Sequence, residues 1–128
     1  MRLLIDTHAW AWAVDGDPRL SVRARALIAD PATELIVSAV VPWELATKFR
    51  VGKWAQAEAI LRDLDAALDQ PNVRPLGISH AHAKRAGLLA FPNRDPFDRI
   101  LAAQAELEGL ALMTADSVFG QGGIEVVW

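Results

Sequence analysis

The chain has 128 residues, a formal net charge of −3 at pH 7 and 52% hydrophobic residues. This length suits one domain spanning residues 1–128, and the composition excludes a disordered chain. The negative charge excludes binding to nucleic acid through a broad positive field, and the absence of cysteine excludes disulfides and thiolate metal sites. Apolar runs are too short for a signal peptide or a membrane span, so we expect a cytoplasmic protein with no membrane partner.

The predicted elements alternate between short apolar strands and helices. Strands are expected at 3–5, 34–37, 73–76, 110–113 and 124–127, and helices at 7–14, 22–29, about 38–51, 55–68, 80–90 and 96–108. The strands are mostly continuous apolar runs, which is the pattern of strands buried on both faces of a parallel sheet. This order predicts an α/β fold, a three-layer α/β/α sandwich with a mainly parallel central sheet.

The segment from Asn93 to Ala105 carries the clearest local signal. Asp95 is expected at the N-cap of a helix, where its carboxylate accepts hydrogen bonds from free backbone N–H groups, and Pro96 follows at the first helical position. Asp98 comes three residues after Asp95, so both carboxylates share one face of the first turn. The two acids either cap the helix and oppose its dipole or belong to a functional site.

Acidic residues recur at strand ends and helix starts, the positions at which an α/β fold brings side chains together. Five of them follow buried strands or lie near helix starts, namely Asp6, Glu44, Asp95, Asp98 and Asp116. Packed without a metal ion, such acids repel one another and some must stay protonated. Carboxylate oxygens are the ligands that Mg²⁺ and Mn²⁺ prefer, and these ions hydrolyse phosphodiesters by activating water and stabilising the leaving oxygen. The pattern therefore indicates metal-dependent phosphodiester hydrolysis.

Four motifs occur in order along nearly the whole chain. They are Leu-Leu-Ile-Asp-Thr-His-Ala-Trp at the start, Ser38 with Trp43-Glu44-Leu45, Arg-Asp-Pro-Phe-Asp-Arg-Ile-Leu-Ala-Ala-Gln-Ala from Arg94, and Leu-Met-Thr-Ala-Asp from Leu112. Together they resemble a PIN domain, and more closely the VapC-type toxins of bacterial toxin–antitoxin pairs. The resemblance implies a parallel α/β/α fold and endonucleolytic cleavage of RNA that depends on Mg²⁺ or Mn²⁺. It also implies an antitoxin protein as partner and a homodimer.

Carried over by position, the resemblance assigns metal binding and catalysis to four acids, namely Asp6, Glu44, Asp98 and Asp116. Asp95 matches an extra acid of the subgroup with the Asp-Pro-Phe-Asp motif, where it either ligates metal or assists catalysis. Thr114 matches a hydroxyl position next to the last acid, which implies a substrate contact. Ala115 stands where the family commonly has a basic or polar residue, so one substrate or water contact would be absent.

Basic residues beside these motifs leave two interpretations open. Arg94 and Arg99 either bind substrate phosphate through bidentate hydrogen bonds or balance the local negative charge. Lys48, Arg50 and Lys53 form either an RNA-facing patch or, more simply, a solvated helix end favoured by the dipole. Both pairs of alternatives depend on where the side chains point.

Tryptophan is frequent, with five in the chain. Trp10, Trp43 or Trp54 is expected to line a groove for the antitoxin, with ordinary core packing as the alternative. His8, two residues after Asp6, either contacts substrate or is a buried or solvated residue.

The leading hypothesis is a metal-dependent endoribonuclease toxin. The alternative is a degenerate PIN-like domain that binds RNA or a protein partner without cleavage.

Overall fold

A computed structural model describes every residue, Met1–Trp128, and contains five strands and eight helices. In chain order these are β1 (Arg2–Ile5), α1 (Thr7–Asp15), α2 (Val22–Ala29), β2 (Glu34–Ser38), α3 (Val40–Arg50), α4 (Ala57–Arg62), α5 (Leu64–Leu68), β3 (Val73–Leu76), α6 (His80–Leu88), α7 (Pro96–Glu108), β4 (Ala111–Met113), α8 (Val118–Gln121) and β5 (Val126–Val127). None of the helices is both long and apolar enough to span a membrane.

The five strands form one sheet in the order β3-β2-β1-β4-β5, and every pairing is parallel. The central strand β1 places Leu4 beside Ile36 of β2 and beside Leu112 of β4. Leu3, Leu4 and Ile5 have no exposed surface, although successive side chains point to opposite faces of the sheet. Both faces are therefore covered by helices, and the predicted three-layer α/β/α fold is confirmed.

Two helix predictions differ from the structure. The helix expected over 55–68 is instead the two short helices α4 and α5, which meet at Asp63. An acid at the C-terminus of α4 interacts unfavourably with the dipole of that helix, whereas an acid at the start of α5 interacts favourably. Asp63 therefore suits a break between two helices better than a helix interior. Ser38 ends β2 rather than capping α3 directly. Its Oγ accepts a hydrogen bond from the Val40 backbone N at 3.0 Å, and α3 begins one residue further on than a Ser38 N-cap would give.

Both ends of α7 are capped, and the predicted N-cap at Asp95 is confirmed. Asp95 Oδ1 accepts hydrogen bonds from the backbone N of Phe97 at 2.8 Å and of Asp98 at 3.3 Å. At the other end Gly109 adopts φ 64°, a left-handed conformation that glycine takes without steric cost, and its N–H closes the last turn. The start of this helix, and with it the position of Asp98, is thus determined by local sequence.

Arg99 ties α7 to the loop that precedes it. Its Nε donates to the carbonyl of Ala86 at 2.8 Å, and its Nη1 donates to the carbonyls of Phe91 at 3.1 Å and Asn93 at 3.0 Å. Nη2 donates to the carbonyl of Leu89. The guanidinium therefore binds four backbone carbonyls, of which that of Leu89 also accepts the Phe91 N–H, while the others depend on Arg99.

Replacing Arg99 with Met should lower the free energy of unfolding by about 3 kcal/mol, because the substitution removes several charge-assisted hydrogen bonds and leaves the backbone carbonyls that depend on Arg99 unpaired. Urea denaturation would measure the change. Arg94 is exposed and makes no hydrogen bond, so Arg94→Met is the matched control and should change stability by no more than about 0.5 kcal/mol. Equal effects of the two substitutions would contradict this structural role for Arg99.

Candidate active site

Asp6 lies at the carboxyl edge of the sheet, where β1 ends and α1 begins. Its Oδ1 accepts the backbone N–H of Ala9 at 2.7 Å as the cap of α1, and its Oδ2 accepts a hydrogen bond from the Thr114 hydroxyl. Thr114 follows β4, which pairs with β1 so that Ile5 lies beside Met113. Burial raises the pKa of Asp6, and the hydrogen bonds from Thr114 and Ala9 lower it in part. The sheet register thus creates a buried carboxylate with two fixed donors.

Glu44 points into the same region from α3 and is only 3% exposed. Its charge raises the pKa of both Asp6 and Asp98, so all three carboxylates lie within electrostatic reach of one another. Lys48, one turn later on α3, donates from Nζ to Glu44 Oε2. The interpretation of Lys48 as part of a solvated helix end is therefore wrong, because its half-buried ammonium pairs with a buried acid.

Asp98 is half-buried among other acids. Burial, together with the charges of Asp95, Glu44 and Asp116, raises its pKa to about 7, although a hydrogen bond from Asn93 acts in the opposite direction. The Asn93 Nδ2 donates to Asp98 Oδ2 at 2.6 Å, and its Oδ1 accepts the backbone N–H of Asp95 at 2.9 Å. A carboxyl group with a pKa near neutrality can take up or release a proton at physiological pH.

Asn93 also belongs to this group, although the sequence did not indicate it as a site residue. Asn two residues before an Asp-Pro helix start is a known turn signal, because its side chain hydrogen-bonds the backbone two residues on. That signal explains the contact with Asp95. The contact with Asp98 depends on how the loop is folded, so no pattern in the sequence indicates it.

Asp116 is exposed at the edge of the cluster, just beyond β4. Its backbone N donates to Thr114 Oγ1 at 3.0 Å, and its Oδ1 accepts the backbone N–H of Val118 at 3.0 Å. Thr114, which is fully buried, therefore connects the segment carrying Asp116 to Asp6. The structure brings all five predicted acids to one edge of the sheet.

The donor set suits a hard divalent cation, since it consists of carboxylate and hydroxyl oxygens. Asp6 and Asp98 have raised pKa values, and a bound cation would favour their charged forms. Lys48 already places a positive charge against Glu44. As the side chains lie, however, no group of three or more His, Cys, Asp or Glu residues converges closely enough to hold an ion. Binding a cation would therefore require side-chain rearrangement.

Other residues singled out from the sequence lie in different settings. Arg99 uses its guanidinium on backbone carbonyls, and Arg94 is exposed without a partner. Trp10 is only 4% exposed and belongs to the core, so the groove interpretation is not supported for this residue. Trp43 is 51% exposed and packs edge-on against Phe97, with ring centroids 4.7 Å apart. Trp43 is therefore available to a partner close to the start of α7.

Comparisons with known proteins agree with this architecture. Among solved structures, the chain is similar to VapBC2 from Rickettsia felis bound to a promoter DNA fragment, with TM-score 0.71, 19% identity and coverage of 99% of this chain and 98% of the other. It is also similar to VapC20 from Mycobacterium tuberculosis, a sarcin–ricin loop cleaving toxin, with TM-score 0.68, 20% identity and 95% coverage of both chains. FitAcB from Neisseria gonorrhoeae gives TM-score 0.69 at 19% identity, covering 100% and 97% of the two chains.

These identities establish a common fold and no more. No curated protein matches the sequence. The model of the PIN domain family, in contrast, matches residues 3–123, which is nearly the whole chain. The parallel sheet and the acids at its carboxyl edge agree with the resemblance that the four motifs indicate, and the chain belongs to the PIN domain family.

Proposed function

We propose that this protein is an endoribonuclease that depends on Mg²⁺ or Mn²⁺ and acts as the toxin of a toxin–antitoxin pair. The observation that carries the proposal is the acid cluster at the carboxyl edge of a PIN fold, in which burial and the neighbouring carboxylates together raise the pKa of Asp98 to about 7. A protein in which these acids only supported the fold should avoid such repulsion, because it lowers stability. Metal-dependent hydrolases keep clustered acids because the carboxylates bind cations. The similar structures support the toxin assignment, since they include VapBC proteins and an RNA-cleaving toxin.

In this proposal Asp6, Glu44, Asp98 and Asp116 hold the metal. A bound divalent cation would supply Lewis acidity, which activates water and stabilises the leaving oxygen. Thr114 keeps Asp6 in one rotamer by donating to Oδ2, and Asn93 does the same for Asp98. Asp95 positions the start of α7 through its cap, and its charge contributes to the raised pKa of Asp98.

Proton transfer and charge neutralisation fall to residues of the same group. The attacking water must also lose a proton, and a carboxylate oxygen of this acid cluster that the metal leaves free would accept it as a general base. A cation held by Glu44 would compete with Lys48 for this carboxylate, and the Lys48 ammonium would then be available to a substrate phosphate. Arg99 has no part in this mechanism, because its donors are occupied by the loop.

The proposed partners are RNA as substrate, a cognate antitoxin and a second copy of the chain. Complexes such as VapBC-1 from nontypeable Haemophilus influenzae, which matches with TM-score 0.66 at 17% identity, support an antitoxin partner. The half-exposed Trp43 near α7 is a suitable aromatic anchor for such a partner. We further propose that residues 1–128 act as one domain in the cytoplasm.

Substituting Asp98 with Asn should reduce RNA cleavage at least about a hundredfold, because it removes a charged metal ligand. The assay would use purified, antitoxin-free protein and a pool of structured RNAs, with Mn²⁺ or with EDTA. Asp69 is an exposed acid at the end of α5, so Asp69→Asn is the matched control and should cleave normally. Circular dichroism would verify that both variants are folded.

Cleavage that persists in EDTA, or that survives Asp98→Asn at full rate, would contradict the proposed nuclease. Failure of the wild type to cleave any RNA or to bind Mn²⁺ would instead favour a degenerate PIN domain that only binds its partners. Titration calorimetry with Mn²⁺ alone separates these results, since it needs no knowledge of the RNA target.

The stability of the metal-free protein should fall as pH rises through 7. The pKa of Asp98 is about 7 in the folded protein and 3.8 ordinarily, so between these values the native state must keep a proton that the unfolded chain releases. The contribution of protonated Asp98 is thus complete below pH 3.8 and lost above about pH 7. Asp98→Asn should raise the Tm at pH 8 by about 4 °C, the shift that about 1 kcal/mol produces in a domain of this size after solvent screening.

Thermal unfolding followed by circular dichroism in EDTA would measure this shift. At pH 4 the variant and the wild type should unfold at nearly the same temperature, since Asp98 is protonated in the folded protein and the unfolded chain, where its pKa has the ordinary value of 3.8, gains little from releasing the proton. A variant that is destabilised equally at both pH values would contradict the assigned repulsion.

A further inference from the structure

A cleft of about 580 Å³ opens beside the acid cluster. It lies between α1 and the end of α3, and its lining includes His8, Trp12, Lys48, Lys53 and Trp54. The cleft adjoins the acid cluster at two points. Lys48 donates to Glu44, and the charge of His8 lowers the pKa of Asp6. A polymer that reaches the acids can therefore continue directly into this cleft.

Three aromatic rings line the cleft in a row, and Trp128 extends the row beyond the lining. In order they are Trp128, Trp12, His8 and Trp54, with distances between successive ring centroids of 5.8, 5.8 and 4.7 Å. The planes of His8 and Trp54 lie 20° apart, so these two rings stack face to face. His8 is exposed to solvent and Trp54 is half-buried. A row that remains open to solvent offers the kind of surface on which nucleobases stack without regard to sequence.

Cationic side chains accompany this row. The Arg19 guanidinium carbon lies 5.0 Å from the centre of the Trp12 ring, and Lys48 Nζ lies 5.9 Å from that of Trp54. Arg19 is paired with Asp17, and Lys48 is paired with Glu44. Lys53 forms no ion pair, so its charge is free to meet a phosphate.

We propose that this cleft binds an unpaired nucleotide of the RNA substrate next to the position of cleavage. The base stacks on the His8–Trp54 pair, and the adjoining phosphate contacts Lys53. The cleft volume falls within the range of about 300–1,000 Å³ that is typical of small-ligand sites, which leaves room for one nucleotide. The inference rests on the proposed ribonuclease function, because it assigns the place of a substrate strand relative to the acids.

An acidic peptide is the other ligand that a cationic cleft could attract. A carboxylate, however, gains nothing from the flat stacked rings of His8 and Trp54. Asp15 and Asp17 also line the cleft and repel a peptide carboxylate and a phosphate alike, but a base can donate its N–H groups to them, which an acidic side chain cannot do. The combination of aromatic surface, free cation and acids therefore favours a nucleotide.

The test is binding of a fluorescently labelled, short single-stranded RNA of mixed sequence, measured in EDTA to prevent cleavage and repeated over a range of salt concentrations. Lys53→Gln should weaken binding and reduce the slope of log affinity against log salt by about 0.7, the value for one phosphate contact on a single strand. Lys84 is exposed on α6 and outside the cleft, so Lys84→Gln is the matched control for charge and should change neither quantity.

Substitutions of His8 test the stacking independently of charge. His8→Gln should weaken binding about tenfold without changing the salt slope, whereas His8→Phe should restore it, because a phenyl ring keeps the stacking surface. Equal RNA affinity for the wild type, Lys53→Gln and His8→Gln would overturn the proposal, as would absence of RNA binding by the wild type. The proposal would also be overturned if the protein bound polyglutamate in a way that requires Lys53 and did not bind RNA. That result would assign the cleft to an acidic peptide.

Cleavage with Mn²⁺ is measured separately on the wild type. Cleft-dependent RNA binding without any cleavage would contradict the proposed nuclease and support the cleft assignment. Metal-dependent cleavage with equal RNA affinity across the variants would support the proposed nuclease and contradict the cleft assignment. The failure of one proposal can therefore be distinguished from the failure of the other.

Discussion

Parallel pairing of β1 with β4 brings the carboxyl ends of the two central strands together, and the candidate active site depends on this arrangement. Asp6 and Thr114 are 108 residues apart in sequence, yet the register that sets Ile5 beside Met113 lets the threonine hydroxyl donate to the aspartate. Because β1 is buried on both faces, a shift of this register would expose core side chains. The hydrophobic core therefore fixes the position of the first acid.

The acids that gather around Asp6 are a cost to folding that the core must offset. Burial and mutual repulsion raise the pKa of Asp6 and Asp98, which means that ionised carboxylates destabilise the native state. The chain compensates in part through its own donors, with Lys48 on Glu44 and Asn93 on Asp98. A core cluster of 28 buried residues supplies the remaining stability, so a strained polar edge can persist on a rigid scaffold.

Lys48 connects this edge to the aromatic cleft beside it. Its ammonium contacts Glu44 and lies 5.9 Å from the centre of the Trp54 ring, so one side chain belongs to both regions. Glu44 and Lys48 lie one turn apart on α3, whereas Asp6 caps the start of α1 and His8 is the second residue of that helix. Two helices thus present an acid to the site and a cation or an aromatic ring to the cleft, which explains how a chain with negative net charge can attract a polyanion locally.

The sequence alone determined the strands, the parallel α/β fold and the caps of α7, because buried apolar runs, Asp95-Pro96 and Gly109 act through local backbone preferences. Its motifs also indicated the PIN family. Local pattern failed at Asp63, where a continuous apolar stripe concealed a helix break. Only the tertiary structure decided that Arg99 binds carbonyls, that Lys48 pairs with Glu44, that Asn93 contacts Asp98 and that His8 stacks on Trp54. Side-chain partners from separate elements depend on packing and loop geometry, which residue spacing along one element does not specify.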